Sequence, residues 1–195
     1  MNAAEKLGKN LNDITVLAST KTIDANRINQ AIKCGIKHIG ENRVQELLNK
    51  YDNIDRDNAD IHFIGHLQSN KVKYIIDKVS LIHSVDSLKL AKEIDLRARK
   101  SDKVAQVLVE VNIGEEETKS GISPNKLYNL LQEFSCLNNI SIRGLMTIPP
   151  FNENPEKSRP FFQRMYQLFV DIDSKKIDNI YMDYLSMGMS ADYII

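Results

Sequence analysis

Seven short apolar runs punctuate the sequence: ITVLA (14–18), KHIG (37–40), IHFIG (61–65), SLIHS (80–84), AQVLVEVNI (105–113), ISIRGLM (140–146) and IYMDYLS (180–186). Between them lie amphipathic stretches that predict helices over 24–34, 43–52, 67–77, 86–100, 123–136 and 157–175. In DSLKLAKEIDLRARK, Asp86 stands where an N-cap belongs, and Leu88, Ala91 and Ile94 share one face. Phe162, Met165, Tyr166 and Phe169 also fall at helical spacing and read as a stripe of core, not a cofactor box. Strands that alternate strictly with helices are parallel and joined by crossovers, so the fold class is α/β. ITVLA reads as a buried strand, and continuous runs such as VLVEV suit a sheet covered on both faces.

Two architectures meet that pattern, an open doubly wound sheet and a (β/α)₈ TIM barrel. No G-x-G-x-x-G follows the first run, which weakens the dinucleotide-binding form of the open sheet. Polar residues and glycines gather after many of the strands instead of at one switch point, as a barrel requires. The barrel is the expected fold, with seven strands visible in this chain. The sequence given ends on LSMGMSADYII, where an eighth βα unit would begin, so the eighth strand is expected to be missing and the chain shortened.

Composition narrows the function. At 195 residues the chain is expected to form one domain, 1–195, with a substantial core. Lys+Arg and Asp+Glu both number 26, so no basic surplus points to nucleic acid or to an anionic membrane. No apolar run approaches the roughly 20 residues that span a bilayer, and the first ten residues lack a signal peptide's apolar centre. A soluble cytoplasmic protein is expected. Cys34 and Cys136 fit no zinc or redox spacing and read as reduced, small core residues.

In a barrel the carboxyl ends of the strands form the functional face. Lys21 falls there, after the first run, followed around the rim by Gly40-Glu41-Asn42, the segment Gly65 to Lys71, His83 to Asp86, NIGEEETKSG, RGLMTIPP and LSMGMS. A lysine in a desolvated mouth loses proton affinity, and a neutral amine attacks an aldehyde to form a Schiff base. The alternative is a lysine whose stem covers apolar surface while its head reaches water. SMGMSAD is a second feature: small residues and a glycine after a strand, with Ser190 placed to cap a following helix, make a cradle of backbone N–H groups suited to phosphate. It also reads as an ordinary glycine turn. An aldehyde trap and a phosphate cradle on one face suit an aldehyde phosphate, and pyridoxal 5′-phosphate is the obvious candidate.

Other constellations carry less. His62 and His66 stand at i, i+4, but Gly65 and the strand-to-loop setting deny them a shared helical face, so no metal is expected and His62 reads as a satisfied core histidine. GEEETKSG reads as a solvated loop from which Lys119 reaches toward the mouth, and TIPPFNENPE as a stiff lid or a long connection.

Six motifs then appear in order: ASTKT (18–22), IGENRVQE (39–46), HFIGHLQSNK (62–71), VLVEVNIGEEETKSGI (107–122), RGLMTIP (143–149) and LSMGMSAD (185–192). In this set the chain resembles the YggS/PROSC family of pyridoxal phosphate homeostasis proteins, relatives of the barrel domain of alanine racemase. The resemblance implies a (β/α)₈ barrel of the alanine racemase N-terminal type holding pyridoxal phosphate. Lys21 matches the Schiff-base lysine and Asn42 an asparagine lining the cofactor site. Ser186, Gly188 and Ser190 match the loop that approaches the phosphate, and Met146 would lie near the ring. The implied function is to carry and buffer the cofactor for intracellular homeostasis without robust turnover. Its implied partners are pyridoxal phosphate and the apo-enzymes that use it, and a monomer is expected.

Two departures from the family pattern stand out. Ser19 and Thr20 precede Lys21 where valine and serine are usual, and the family's Arg-x-Gly-Thr motif, on a last strand, is not among these residues. Weaker cofactor retention than in a complete relative is the expectation. Two enzymatic alternatives remain at this point. One is a weakly active pyridoxal phosphate-dependent amino-acid racemase, which needs a second base opposite the cofactor. The other is an aldolase-type lysine enzyme, for which Glu41 is the acid/base candidate by position.

Overall fold

The computed structural model describes residues 8, 10 and 13–189. Seven strands form one sheet: β1 (Leu17–Ser19), β2 (His38–Glu41), β3 (Asp60–Phe63), β4 (Leu81–Val85), β5 (Ala105–Glu110), β6 (Ile140–Met146) and β7 (Ile180–Ser186). The helices between them are α1 (Ala25–Lys33), α2 (Val44–Lys50), α3 (Val72–Ile75), α4 (Leu88–Lys100), α5 (Pro124–Ser135) and α6 (Arg159–Ser174). Every strand pairs in parallel with the one before it, and the order across the sheet is the order along the chain. A doubly wound sheet reverses its strand order at a switch point, and this one never does. The architecture is that of a (β/α) barrel, with seven strands among the described residues in a sheet curled into part of a cylinder.

Period-two alternation sorts the side chains between two faces. Ile39, Phe63, Ile82, Val107, Val109 and Ile142 point outward and join the helices in a continuous core with Leu47, Ile75, Ile94, Leu131 and Met165. The concave face is different. It carries a small apolar cluster of Leu81, Leu108 and Met146, and it borders a cavity of about 570 Å³ whose lining mixes polar groups such as His62, His83 and Arg143 with apolar ones such as Leu17 and Leu185. Leu17 from one edge and Ser186 from the other both border that cavity, so the two edges curl toward a common space. Helices cover only the outer face of the sheet, yet VLVEV is buried on both sides as expected, with Val107 and Val109 under the helices and Leu108 and Glu110 enclosed by the curl.

Other expectations are corrected locally. ITVLA is not a buried strand: β1 is three residues long, and Ile14 and Val16 are 49% and 65% exposed, because no described strand flanks its outer side. Ser87 caps α4 in place of Asp86, its hydroxyl accepting from the Leu90 N–H. Of the aromatic stripe on α6, Met165 is fully buried but Tyr166 faces solvent. Cys34 and Cys136 are both exposed, since each occupies the C-cap of a helix and not its core face. Among the described residues no helix is long and apolar enough to cross a membrane.

Candidate functional site

The turn that follows β1 bears Lys21, and it is fixed from below by charge. Thr20 ends the pairing with β2, its N–H donating to the Gly40 carbonyl at 2.9 Å. Lys50, at the end of α2 and 8% exposed, donates to the carbonyls of Thr20 and Ile23 at 2.9 and 3.1 Å, spanning the turn. The same ammonium pairs with Glu41 at 2.7 Å and Glu46 at 3.3 Å. The Thr20 hydroxyl donates to Glu41, and the Thr22 N–H donates to Glu46. Burial opposes ionisation of Glu46, yet the bonds from Thr22 and Lys50 and the charges of Lys50 and Arg43 hold its carboxyl below the usual range. Thr22 sits at φ +62°, a left-handed conformation that a β-branched residue avoids unless its surroundings impose it. The clamp of Lys50, Glu41 and Glu46 is what imposes it. Glu41 is therefore engaged in holding the turn.

Lys21 itself is exposed, which corrects the desolvated mouth expected of it. The cause is again the edge: on the far side of β1 no described strand excludes water. Asn42 directly follows β2, so Lys21 and Asn42 lie just past the paired ends Ser19 and Gly40. The Asn42 side-chain oxygen is buried without a hydrogen-bond partner among the described residues. Gly65 presses against this residue, and a Cβ there would lie 2.1 Å from the Asn42 carbonyl oxygen, so the GEN and IGHL motifs pack only because position 65 has no side chain.

The remaining predicted residues belong to the other side of the curl. Ser186 ends β7 and pairs with Met146 at the end of β6. Met146 is 4% exposed and lies in the concave cluster with Leu81 and Leu108. Gly188 turns the chain at φ +99°, a conformation that favours glycine. Ser190 lies outside the described residues. The structure thus brings Lys21 together with Asn42, and Ser186 together with Met146, on the carboxyl rim of the same half-barrel.

Sequence reasoning passed over a polar chain on the concave face. His38 Nδ1 and His62 Nε2 are 3.3 Å apart, His62 Nδ1 and His83 Nε2 2.9 Å, and His83 Nδ1 and the Ser186 hydroxyl 3.0 Å. Burial first, and the neighbouring imidazole second, push His62 down to about 4 and His83 down to about 3, so both are neutral at physiological pH. His66 is separate from this chain, standing 3.5 Å from Asp86 and 3.3 Å from the Ser120 hydroxyl. At the end of β5, burial and then the Asp86 charge push Glu110 up to about 7. Lys119 reaches the Pro149 carbonyl at 3.1 Å and so ties the loop after β5 to the one after β6. The missed signal was a histidine in each of three successive runs, KHIG, IHFIG and SLIHS, each on the inward phase of its strand and two residues beyond the register partner of the last, so that the three run diagonally across the sheet.

Comparison with known proteins agrees with this geometry. The model of the alanine racemase N-terminal domain matches residues 5–195. A pyridoxal phosphate homeostasis protein of Aquifex aeolicus is 45% identical over 191 residues, covering 98% of this chain and 83% of that protein. A crystal structure of an unknown protein from Bifidobacterium adolescentis superposes with a TM-score of 0.91 at 34% identity, over 98% of this chain and 81% of that one. PipY of Synechococcus elongatus, solved with pyridoxal phosphate bound, gives 0.85 at 29% identity, over 98% and 91%. With its strand order, its lysine-bearing turn and these matches, the chain belongs to the alanine racemase N-terminal domain family, among the pyridoxal phosphate homeostasis proteins.

Proposed function

We propose that this chain binds pyridoxal 5′-phosphate and carries or buffers it for the enzymes that need it, without robust turnover of its own. When bound, the cofactor supplies a reactive aldehyde, and Lys21 is the amine that would attach it. Asn42 would line the cofactor site from the neighbouring strand end, Met146 would lie near the ring, and Ser186 and Gly188, with Ser190, would receive the phosphate. The observation that carries the reading is the pairing of Lys21, on a turn clamped by Lys50 and Glu46, with the buried and unpartnered oxygen of Asn42 one strand away. An orphaned buried acceptor is the kind of group that a ligand completes. The names of the relatives and the cofactor in PipY point the same way.

An exposed Lys21 suits a carrier better than an enzyme. Its attachment is open to water and to competing amines, so the cofactor leaves as readily as it arrives, whereas catalysis calls for a closed, dry site. In this reading residues 1–195 act as a single cofactor-binding unit, cytoplasmic and monomeric, that hands its cargo to pyridoxal phosphate-dependent apo-enzymes.

The test is titration with pyridoxal phosphate, followed by borohydride reduction and peptide mapping. The label is expected on Lys21, and Lys21→Ala is expected to abolish covalent attachment. A label found mainly on Lys71 or Lys119 overturns the assignment, and a chain that takes up no cofactor overturns the function.

A further inference from the structure

At the amino-terminal end of the half-barrel, opposite the lysine-bearing rim, three side chains converge in a way that cofactor binding does not use. His38 and Asp60 are the first residues of β2 and β3, and they are register partners; His62 is paired with Gly40 one step along the same strands. All four positions thus belong to adjacent parallel strands, and the inward phase of the alternation turns His38, Asp60 and His62 to the cavity that they help to line. One donor atom from each, two imidazole nitrogens and a carboxylate oxygen, lies within 4.8 Å of the other two.

The spacing matches the edges of a coordination polyhedron. Ligands about 2.0–2.1 Å from a tetrahedral zinc ion stand roughly 3.4 Å apart along each edge. His38 Nδ1 is 3.3 Å from His62 Nε2 and 3.6 Å from Asp60 Oδ2. The groups that would orient such ligands are also present. With His62 Nε2 as the ligating atom, its Nδ1–H donates to His83 Nε2 at 2.9 Å, and the His83 Nδ1–H donates to the Ser186 hydroxyl at 3.0 Å. Coordination fixes one tautomer along the whole chain, as the outer partners of a metal-bound histidine do. A hydrogen bond between His38 and His62 is the competing use of the same atoms. It leaves the Asp60 carboxylate, whose side chain is 60% exposed, with no more than a distant and water-screened contact to the pair.

We infer that His38, Asp60 and His62 form a site for a divalent transition-metal ion of the zinc class, at the end of the half-barrel opposite Lys21. Two imidazoles and one carboxylate leave at least one position to water, the open coordination of a reactive or exchangeable metal and not of a sealed structural one. The proposal does not depend on the cofactor reading, since none of its three ligands takes part in that site.

Cobalt(II) is the probe, because its visible absorption rises sharply on passing from octahedral water to a tetrahedral protein site. The full chain, treated with a chelator and dialysed, is titrated with cobalt chloride and then with zinc chloride in competition. One equivalent of cobalt is expected to bind with a tetrahedral spectrum and to be displaced by zinc. His38→Ala, His62→Gln and Asp60→Asn are each expected to weaken binding at least about tenfold, while His66→Ala leaves it unchanged. The thermal transition of each metal-free variant reports its folding. Should His62→Gln fail to fold, the variants of His38 and Asp60, both partly exposed, carry the test. Absence of a tetrahedral spectrum in the wild-type chain overturns the site, as does binding that survives His38→Ala and Asp60→Asn or that is lost with His66→Ala.

Discussion

In β4 all five residues are buried, and its neighbours β3 and β5 bury Phe63, Val107 and Leu108 completely. In β1 no residue is, and the two apolar residues just before it, Ile14 and Val16, are about half or more exposed. Both segments have the same character in the sequence, short runs of β-branched and apolar residues. The centre is held by apolar packing against the helices, whereas the first edge is held by hydrogen bonds and charge: Lys50 on two carbonyls, Glu46 on Thr22, Glu41 on Thr20. Where burial is not on offer, a polar clamp sets the backbone instead, and the clamp lies under the one lysine whose position matters most.

The comparison breaks most visibly under truncation. Phe63→Ala should cost about 3–5 kcal/mol of stability, the range for removing a fully buried aromatic, while Val16→Ala should stay within about 0.5 kcal/mol, as exposed sites do. Urea unfolding of the two variants measures the contrast, and equal costs would show that the edge is packed after all. Lys50→Met probes the other force. It leaves the fully buried Glu41 carboxylate uncompensated, at a cost of about 3 kcal/mol, and frees the Lys21 turn. Covalent labelling of Lys21 by pyridoxal phosphate should slow in the same variant, whereas Phe63→Ala, measured where it is folded, should leave the labelling rate near that of the parent.

The smallest effect separates charge from packing within the centre itself. Glu110 is held up to about 7 by burial and by Asp86, above the ordinary carboxylate value of 4.5. Between those two values the folded chain binds a proton that the unfolded chain has released, so this group's contribution to stability falls as pH rises from about 4.5 to 7 and is flat above. Glu110→Gln removes the dependence. The variant should gain on the order of 2 kcal/mol over the parent at pH 8 and little at pH 4, read from urea midpoints at the two pH values. A constant difference between them would mean that the carboxyl is solvated.

The positions of the rim residues were legible because a motif places them one by one, Lys21 after the first strand, Asn42 after the second, Ser186 at the end of the seventh and Gly188 just past it, whereas their roles belong to the proposal. The histidine chain was not legible, because its members are brought together by pairing between strands. His62 and His66, four apart in sequence, go to different neighbours, while His38 and His62, separated by 24 positions, come within 3.3 Å. A strand's own pattern says which residues share a face, but it does not say which strand will lie beside it. The Lys50 clamp was missed for a related reason: a lysine on a short helix reads as solvated until the helix is docked beneath a turn.

Alternation of apolar runs and amphipathic segments determined, by itself, that this chain forms parallel strands joined by helices, and it located nearly every element. That information is local, written in periodicities of two and 3.6 residues. Tertiary structure alone decided which run becomes an edge, which face of the sheet stays wet, and which distant polar residues meet on it. Those outcomes depend on neighbours supplied by other parts of the chain, and burial is a property of neighbours.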